Sequence, residues 1–239
     1  MKTILHKAED RGFANHGWLQ ANHSFSFASY YNPEKIQFGA LRVLNDDIIA
    51  PKMGFGTHPH ENMEIITIPI SGVLKHRDNI HTDWQTVVPG EVQVMSAGKG
   101  VQHSEINGSV NDYLSLFQIW IVPNKKDVSP RYDQIKFDAK DRMDKLQVLV
   151  SSIDEDYNGS LKIHQNAKIS RIDLSKHKTF NYEMLSNNHG VYLMNIDGEV
   201  VVNEQTAKTR DAIGISNSDS FIVSAKEDSQ LLFIEVPML

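Results

Sequence analysis

The sequence predicts an all-β chain, and three observations carry that prediction. Short apolar runs of strand length recur from end to end, separated by Gly, Pro, Asn and Asp turn signals and without a helical period. Two stretches, residues 54–64 and 96–105, share one order of parts: a glycine-rich turn, a pair of polar residues two apart, and then an apolar run. A charged, proline-bearing segment at 123–145 separates two halves of the same rhythm. Regularly spaced short strands of this kind build a sandwich or a barrel.

In chain order, residues 13–32 alternate aromatic and small side chains at the period of a strand, which puts Phe25 and Phe27 on one face as core residues. His16 and His23 are expected to be hydrogen-bonded structural histidines. Residues 38–51 read as a strand, an acidic turn and a second strand leading to the glycines before His58. Residues 74–78, 84–88 and 92–95 continue the series, with Pro89-Gly90 as a turn. The first domain is expected over 1–130, a linker over 131–145 and a second domain over 146–239. In the second half, 146–150, 161–164, 169–174, 191–196, 199–202, 221–223 and 231–236 are strand candidates, with hairpin turns at Asn158-Gly159 and Asp197-Gly198. His164, His177 and His189 stand alone there, so the second half is expected to support the first without binding metal.

The composition sets outer limits. The chain has 239 residues, 40% of them hydrophobic, which suffices for one large all-β domain or two smaller ones. A formal net charge of −6 argues against broad nucleic-acid binding. The absence of cysteine excludes disulfides and thiolate chemistry. The opening residues lack a signal-peptide run and no stretch is long enough to cross a bilayer, so a cytoplasmic protein without a membrane partner is expected.

The two glycine-rich stretches predict a metal site. A strand sends alternate side chains to one face, so His58 and His60 point together, and so do His103 and Glu105. With 11 histidines in the chain, about 0.5 His-x-His pairs arise by chance, so the first pair alone proves little. The second pair in the same setting makes the case. Three imidazoles and one carboxylate suit Fe(II), Mn(II), Ni(II), Co(II), Cu(II) or Zn(II), and four protein donors leave an octahedral ion two positions for water or substrate. Phe55, Met95 and Phe117, on or beside the metal-bearing strands, are candidates for lining a cavity, with a plain core role as the alternative.

Stretches 23–33, 54–64, 76–78, 89–98 and 103–105, with Gln118-Ile119-Trp120 beyond them, resemble the pirins, a bicupin family whose bacterial members include quercetin 2,3-dioxygenases. The resemblance covers nearly the whole chain. It implies two cupin jelly-roll barrels packed as a bicupin, with one divalent metal, usually Fe(II), in the first barrel. Its motifs place the ligands on His58, His60, His103 and Glu105. Many other cupins take their glutamate from the first motif, which makes Glu64 an alternative ligand or a hydrogen-bond partner behind the ligands.

The activity implied is oxygen-dependent opening of the central ring of a flavonol such as quercetin, with Glu105 taking the proton of the 3-hydroxyl. The partners implied are a flavonol and O2, and a monomer is expected. A metal-dependent module that binds a protein partner, or a cupin acting on another small molecule, uses the same ligand set.

Overall fold

The computed structural model describes residues 1–238 except Thr82, Asp156 and Asn158, so the Asn158-Gly159 turn falls partly outside the described residues. The expected all-β character is found, and among the described residues the helical turns are two short 3-10 turns, at Ala8–Asp10 and Ala139–Arg142. Among the described residues no helix is long and apolar enough to cross a membrane.

Twelve strands precede residue 137: β1 (Lys2–His6), β2 (Gly12–Asn15), β3 (Leu19–His23), β4 (Leu41–Ile49), β5 (Gly54–His60), β6 (Glu64–Ser71), β7 (Leu74–Asp78), β8 (Gln85–Val87), β9 (Glu91–Ser96), β10 (Val101–Asn107), β11 (Leu114–Ile121) and β12 (Arg131–Lys136). Ten follow: β13 (Gln147–Ser152), β14 (Leu161–Ile163), β15 (Lys168–Leu174), β16 (Thr179–Glu183), β17 (His189–Asp197), β18 (Val200–Val202), β19 (Gln205–Ala207), β20 (Ala212–Ser216), β21 (Ser220–Ala225) and β22 (Ser229–Pro237).

They form two barrels of one design. In the first, a seven-stranded sheet ordered β12-β9-β6-β11-β4-β3-β2 faces a four-stranded sheet ordered β5-β10-β7-β8. In the second, β1-β20-β17-β22-β15-β13-β14 faces β16-β21-β18-β19. The two-cupin architecture implied by the resemblance is the one found.

Each barrel borrows its outermost long-sheet strand from beyond its expected limits. Strand β1, at the N-terminus, pairs with β20 of the second barrel from Lys2↔Ser216 to His6↔Ala212. Residues 131–136, expected as linker, form β12 and pair with β9 of the first barrel. The mixed polar composition of β12 hid it: Tyr132 and Gln134 face a polar barrel interior, while on the other side Arg131 bonds to the Lys162 carbonyl of the second barrel and Ile135 meets the core between the barrels. A second correction concerns Phe25 and Phe27. The strand ends at His23, and the chain then runs irregularly to Ala40. Phe25 enters the core between the barrels against Tyr192, with ring centroids 5.2 Å apart, while Phe27 packs on Trp120 at 5.2 Å.

The main core lies between the two seven-stranded sheets. Leu44, Ile66 and Ile119 from the first meet Tyr192, Leu232 and Ile234 from the second. Both faces of β6 and β11 are therefore largely covered, and these strands read as continuous apolar runs rather than as alternating ones. The second barrel fills its own interior with Tyr182, Phe221 and Phe233, ring centroids 4.8–5.2 Å apart about Tyr182. The first barrel leaves its interior polar, and the candidate site lies there.

Candidate metal centre

Strands β5 and β10 carry the site. They pair antiparallel with His103 directly opposite His58 and Val101 opposite His60. Gly54 permits the approach: a Cβ there would lie 2.1 Å from the Glu105 carbonyl oxygen. Gly98, at φ +47°, makes the turn into β10, and a Cβ on it would meet the Val128 carbonyl oxygen at 2.0 Å.

A bulge follows the first histidine pair. Between His103↔His58 and Glu105↔Phe55, β5 inserts Gly56 and Thr57 against the single Ser104. The extra residue reverses the alternation of β5, so Phe55 shares the cavity wall with His58 although the two are three apart.

The three imidazoles converge as the spacing predicts. One ring nitrogen from each of His58, His60 and His103 lies within 4.8 Å of the others. His58 Nδ1 lies 2.8 Å from the Gly56 carbonyl oxygen, which only accepts, so Nδ1 carries the proton and Nε2 keeps its lone pair. That Nε2 lies 3.0 Å from His103 Nε2. Burial, with His58 beside it, lowers the His60 pKa to about 4, and burial with the neighbouring imidazoles lowers that of His103 to about 2. Neutral imidazoles with converging lone pairs are a donor set that fits a divalent transition-metal ion.

Behind the triad stands a histidine that sequence reading left without a role. His76, fully buried on β7, places Nε2 3.1 Å from His103 Nδ1. With His103 Nε2 free to ligate, its Nδ1–H donates to His76, whose own proton then sits on Nδ1, 3.9 Å from Asp78 Oδ2. Tyr132 on β12 stacks on His76 at 4.9 Å, and Asp78 Oδ1 accepts from the Ile80 and His81 N–H groups. The His76-x-Asp78 spacing on one strand face was the available signal.

Glu105 faces the same cavity, its carboxylate accepting from Gln118 Nε2 at 3.1 Å, while Thr67 Oγ1, 3.5 Å from Glu105 Oε1, donates to Gln118 Oε1 at 2.7 Å. Burial raises its pKa to about 7, against the Thr67 and Gln118 contacts. The cavity measures about 280 Å³ and is lined by His58, His60, Glu105 and Asp47 with Phe27, Phe55, Leu116 and Trp120 as its apolar walls. Trp120 meets His60 edge-on at 4.8 Å.

Three expectations need correction. Glu64 pairs across from Ile121 and Ile65 from Trp120, so Glu64 lies on the sheet face opposite the cavity. There its carboxylate accepts from Ser96 Oγ at 2.7 Å and from the His164 backbone N–H. The turn at 61–63, with Asn62 at φ +47°, breaks the parity that linked Glu64 to His58 and His60. Phe117 likewise faces the core between the barrels, under the Arg210 guanidinium, because the cavity takes the even-numbered residues of β11. Met95 does point into the barrel, but packs with Ile65, Ala97 and Val101 away from the cavity lining. His23, as expected, is buried and bonded, its Nδ1 2.9 Å from Asn45 Oδ1, whereas His16 is exposed.

Two predictions follow from the charges. Burial, with Asp46 and Glu105 near it, raises Asp47 from 3.8 to about 8, and burial raises Glu64 and Glu105 from 4.5 to about 7. Folding therefore favours their protonated forms, and that stability is lost as pH rises through the folded values. His60, His76 and His103 act oppositely, but only below their unfolded value of 6.5. The Tm of metal-free protein, followed by circular dichroism, should thus fall from about pH 6.5 to about pH 8.5. A flat or rising Tm over that range would contradict these assignments. Separately, His76→Phe should weaken metal binding by about 10–100-fold, while His76→Gln, whose amide oxygen accepts from His103, should restore much of it. Competition with a chelator for cobalt(II) reads both, and unchanged affinity in His76→Phe would count against the role.

Comparison with known proteins agrees with this geometry. The family model described as Pirin matches residues 6–121, and that described as the quercetinase C-terminal cupin domain matches residues 148–236. The chain is 41% identical over 233 residues to a protein named quercetin 2,3-dioxygenase from Escherichia coli (strain K12), covering 98% of each. It is 40% identical over 224 residues to a pirin-like protein of Caulobacter vibrioides, covering 94% of this chain and 95% of the other. Among solved structures, the bacterial pirin YhhW of Escherichia coli in complex with nickel(II) superposes with a TM-score of 0.93 at 39% identity, covering 100% of both chains.

Proposed function

The chain belongs to the pirin family, and on that premise we propose that it is a metal-dependent dioxygenase opening the central ring of flavonols such as quercetin with O2. The observation that carries this reading is the composition of one cavity. His58 and His60 of the histidine cluster line it together with Glu105, and Phe27, Phe55, Leu116 and Trp120 form apolar walls suited to a planar aromatic. The name of the 41% identical relative supports the same substrate class.

His58, His60 and His103 would hold the ion, with Glu105 as the fourth ligand, and iron(II) is the metal proposed. When bound, a divalent ion supplies Lewis acidity that lowers the pKa of a flavonol 3-hydroxyl. A Glu105 carboxylate oxygen takes that proton, while Gln118 Nε2, itself oriented by Thr67 Oγ1 donating to the Gln118 amide oxygen, keeps the carboxylate turned to the cavity. The aromatic walls hold the ring system flat and keep water from the activated carbon. The central ring opens with release of carbon monoxide.

Iron-loaded protein should deplete quercetin and O2 together, followed by absorbance and an oxygen electrode. His58→Ala should lose turnover and metal with its circular dichroism intact. Glu105→Gln should lose about 10²–10⁴-fold in kcat, the usual weight of a positioned base. Full turnover by His58→Ala would refute the proposal.

A further inference from the structure

Strand β4 carries two consecutive aspartates with opposite fates. Asp46 faces the second barrel, where its Oδ2 lies 3.5 Å from Arg11 Nη1 and 3.3 Å from Arg210 Nε. Asp47, turned the other way with Asn45, lines the metal-bearing cavity and is 4% exposed. Among the described residues no cation pairs with Asp47, and its buried Oδ1 has no hydrogen-bond partner.

The polar neighbours on that wall are already engaged. Asn45 Oδ1 is 2.9 Å from His23 Nδ1, and the Gln118 amide donates to Glu105 and accepts from Thr67 Oγ1 at 2.7 Å. A buried carboxyl without a partner costs stability, so such a group in a native fold calls for an explanation. Here the cavity is what can supply the partner.

We propose that Asp47 is a specificity-determining residue whose carboxyl group hydrogen-bonds a hydroxyl of a hydroxylated planar aromatic substrate, apart from the oxygen held at the histidine cluster. This rests on reading the cavity as the substrate site. The carboxyl lines the cavity with Oδ1 unpartnered, and a carboxyl oxygen accepts from a substrate hydroxyl brought to that wall. The remaining walls, Phe27, Phe55, Leu116 and Trp120, offer area without direction. A polar group on the β4 wall would fix the rotation of a flat ligand between them, because a ligand lacking the matching oxygen leaves a buried acid unpaired.

The test uses full-length iron-loaded protein under nitrogen, with quercetin as the probe and quenching of tryptophan fluorescence as the readout. Metal content and Tm are measured on the same samples. Asp47→Leu should bind quercetin at least about tenfold more weakly, with unchanged metal content and an equal or higher Tm, because an unpaired buried carboxyl has been removed. Asp47→Asn, which keeps an acceptor oxygen, should recover most of the affinity. Wild-type binding by Asp47→Leu overturns the proposal, and so does a weakened affinity that tracks lost metal. Quercetin binding without O2 consumption by the wild type would refute ring cleavage while leaving the role of Asp47 to be decided by the Leu variant. Failure of the wild type to bind quercetin would overturn both.

Discussion

The pairing of β5 with β10 sets the chemistry of the molecule, because it brings His58 Nε2 and His103 Nε2 to 3.0 Å inside a barrel wall. Burial with the neighbouring imidazoles disfavours a charged His103. With both nitrogens unprotonated their lone pairs conflict, and a divalent cation resolves the conflict by accepting both. The backbone is arranged to keep the contact in place: Gly54 lets the strands approach, the Gly56 carbonyl fixes the His58 tautomer, and His76 lies against the far side of His103. The bulge at Gly56 and Thr57 then brings Phe55 round to the cavity, joining an aromatic wall to the donor set.

The second barrel shows the same frame with the conflict absent. Strands β16 and β21 pair as β5 and β10 do, yet they present Tyr182 and Phe221, stacked with Phe233 from β22. The buried carboxylate of Glu235 finds its partners within the second barrel. Glu235 accepts from Tyr182 Oη at 2.8 Å and lies 3.1 Å from Lys168 Nζ and 3.4 Å from His189 Nδ1. Burial alone would raise its pKa, but the His189 contact, the Lys168 ammonium and the Leu185 and Tyr182 donors outweigh that and hold it low.

Much of this was legible in the sequence because it depends on period two. His58 with His60, and His103 with Glu105, need only strand alternation to reach one face; the structure clusters the three histidines, and Glu105 lines the cavity beside His58 and His60 without joining that cluster. The failures lie where alternation is interrupted or where partners are distant in sequence. Glu64 stands beyond a turn that resets the face, and Phe117 sits on a strand whose two faces are both buried, so polarity could not tell them apart. Strand β12 hid in a charged segment because its partner face is polar, and the exchange of β1 into the second barrel has no local signature. His76 and Asp47 acquire meaning only through neighbours on other strands, which no window of sequence contains.

The central claim is that one divalent ion is held in the first barrel by His58, His60 and His103 with Glu105. X-ray absorption at the metal edge, on stoichiometrically loaded protein with metal per chain counted on the same sample, tests it most directly. The account predicts about one metal per chain with three imidazoles in the coordination sphere and oxygen donors completing it. Binding with fewer than three imidazoles, or no binding after reconstitution, would contradict it.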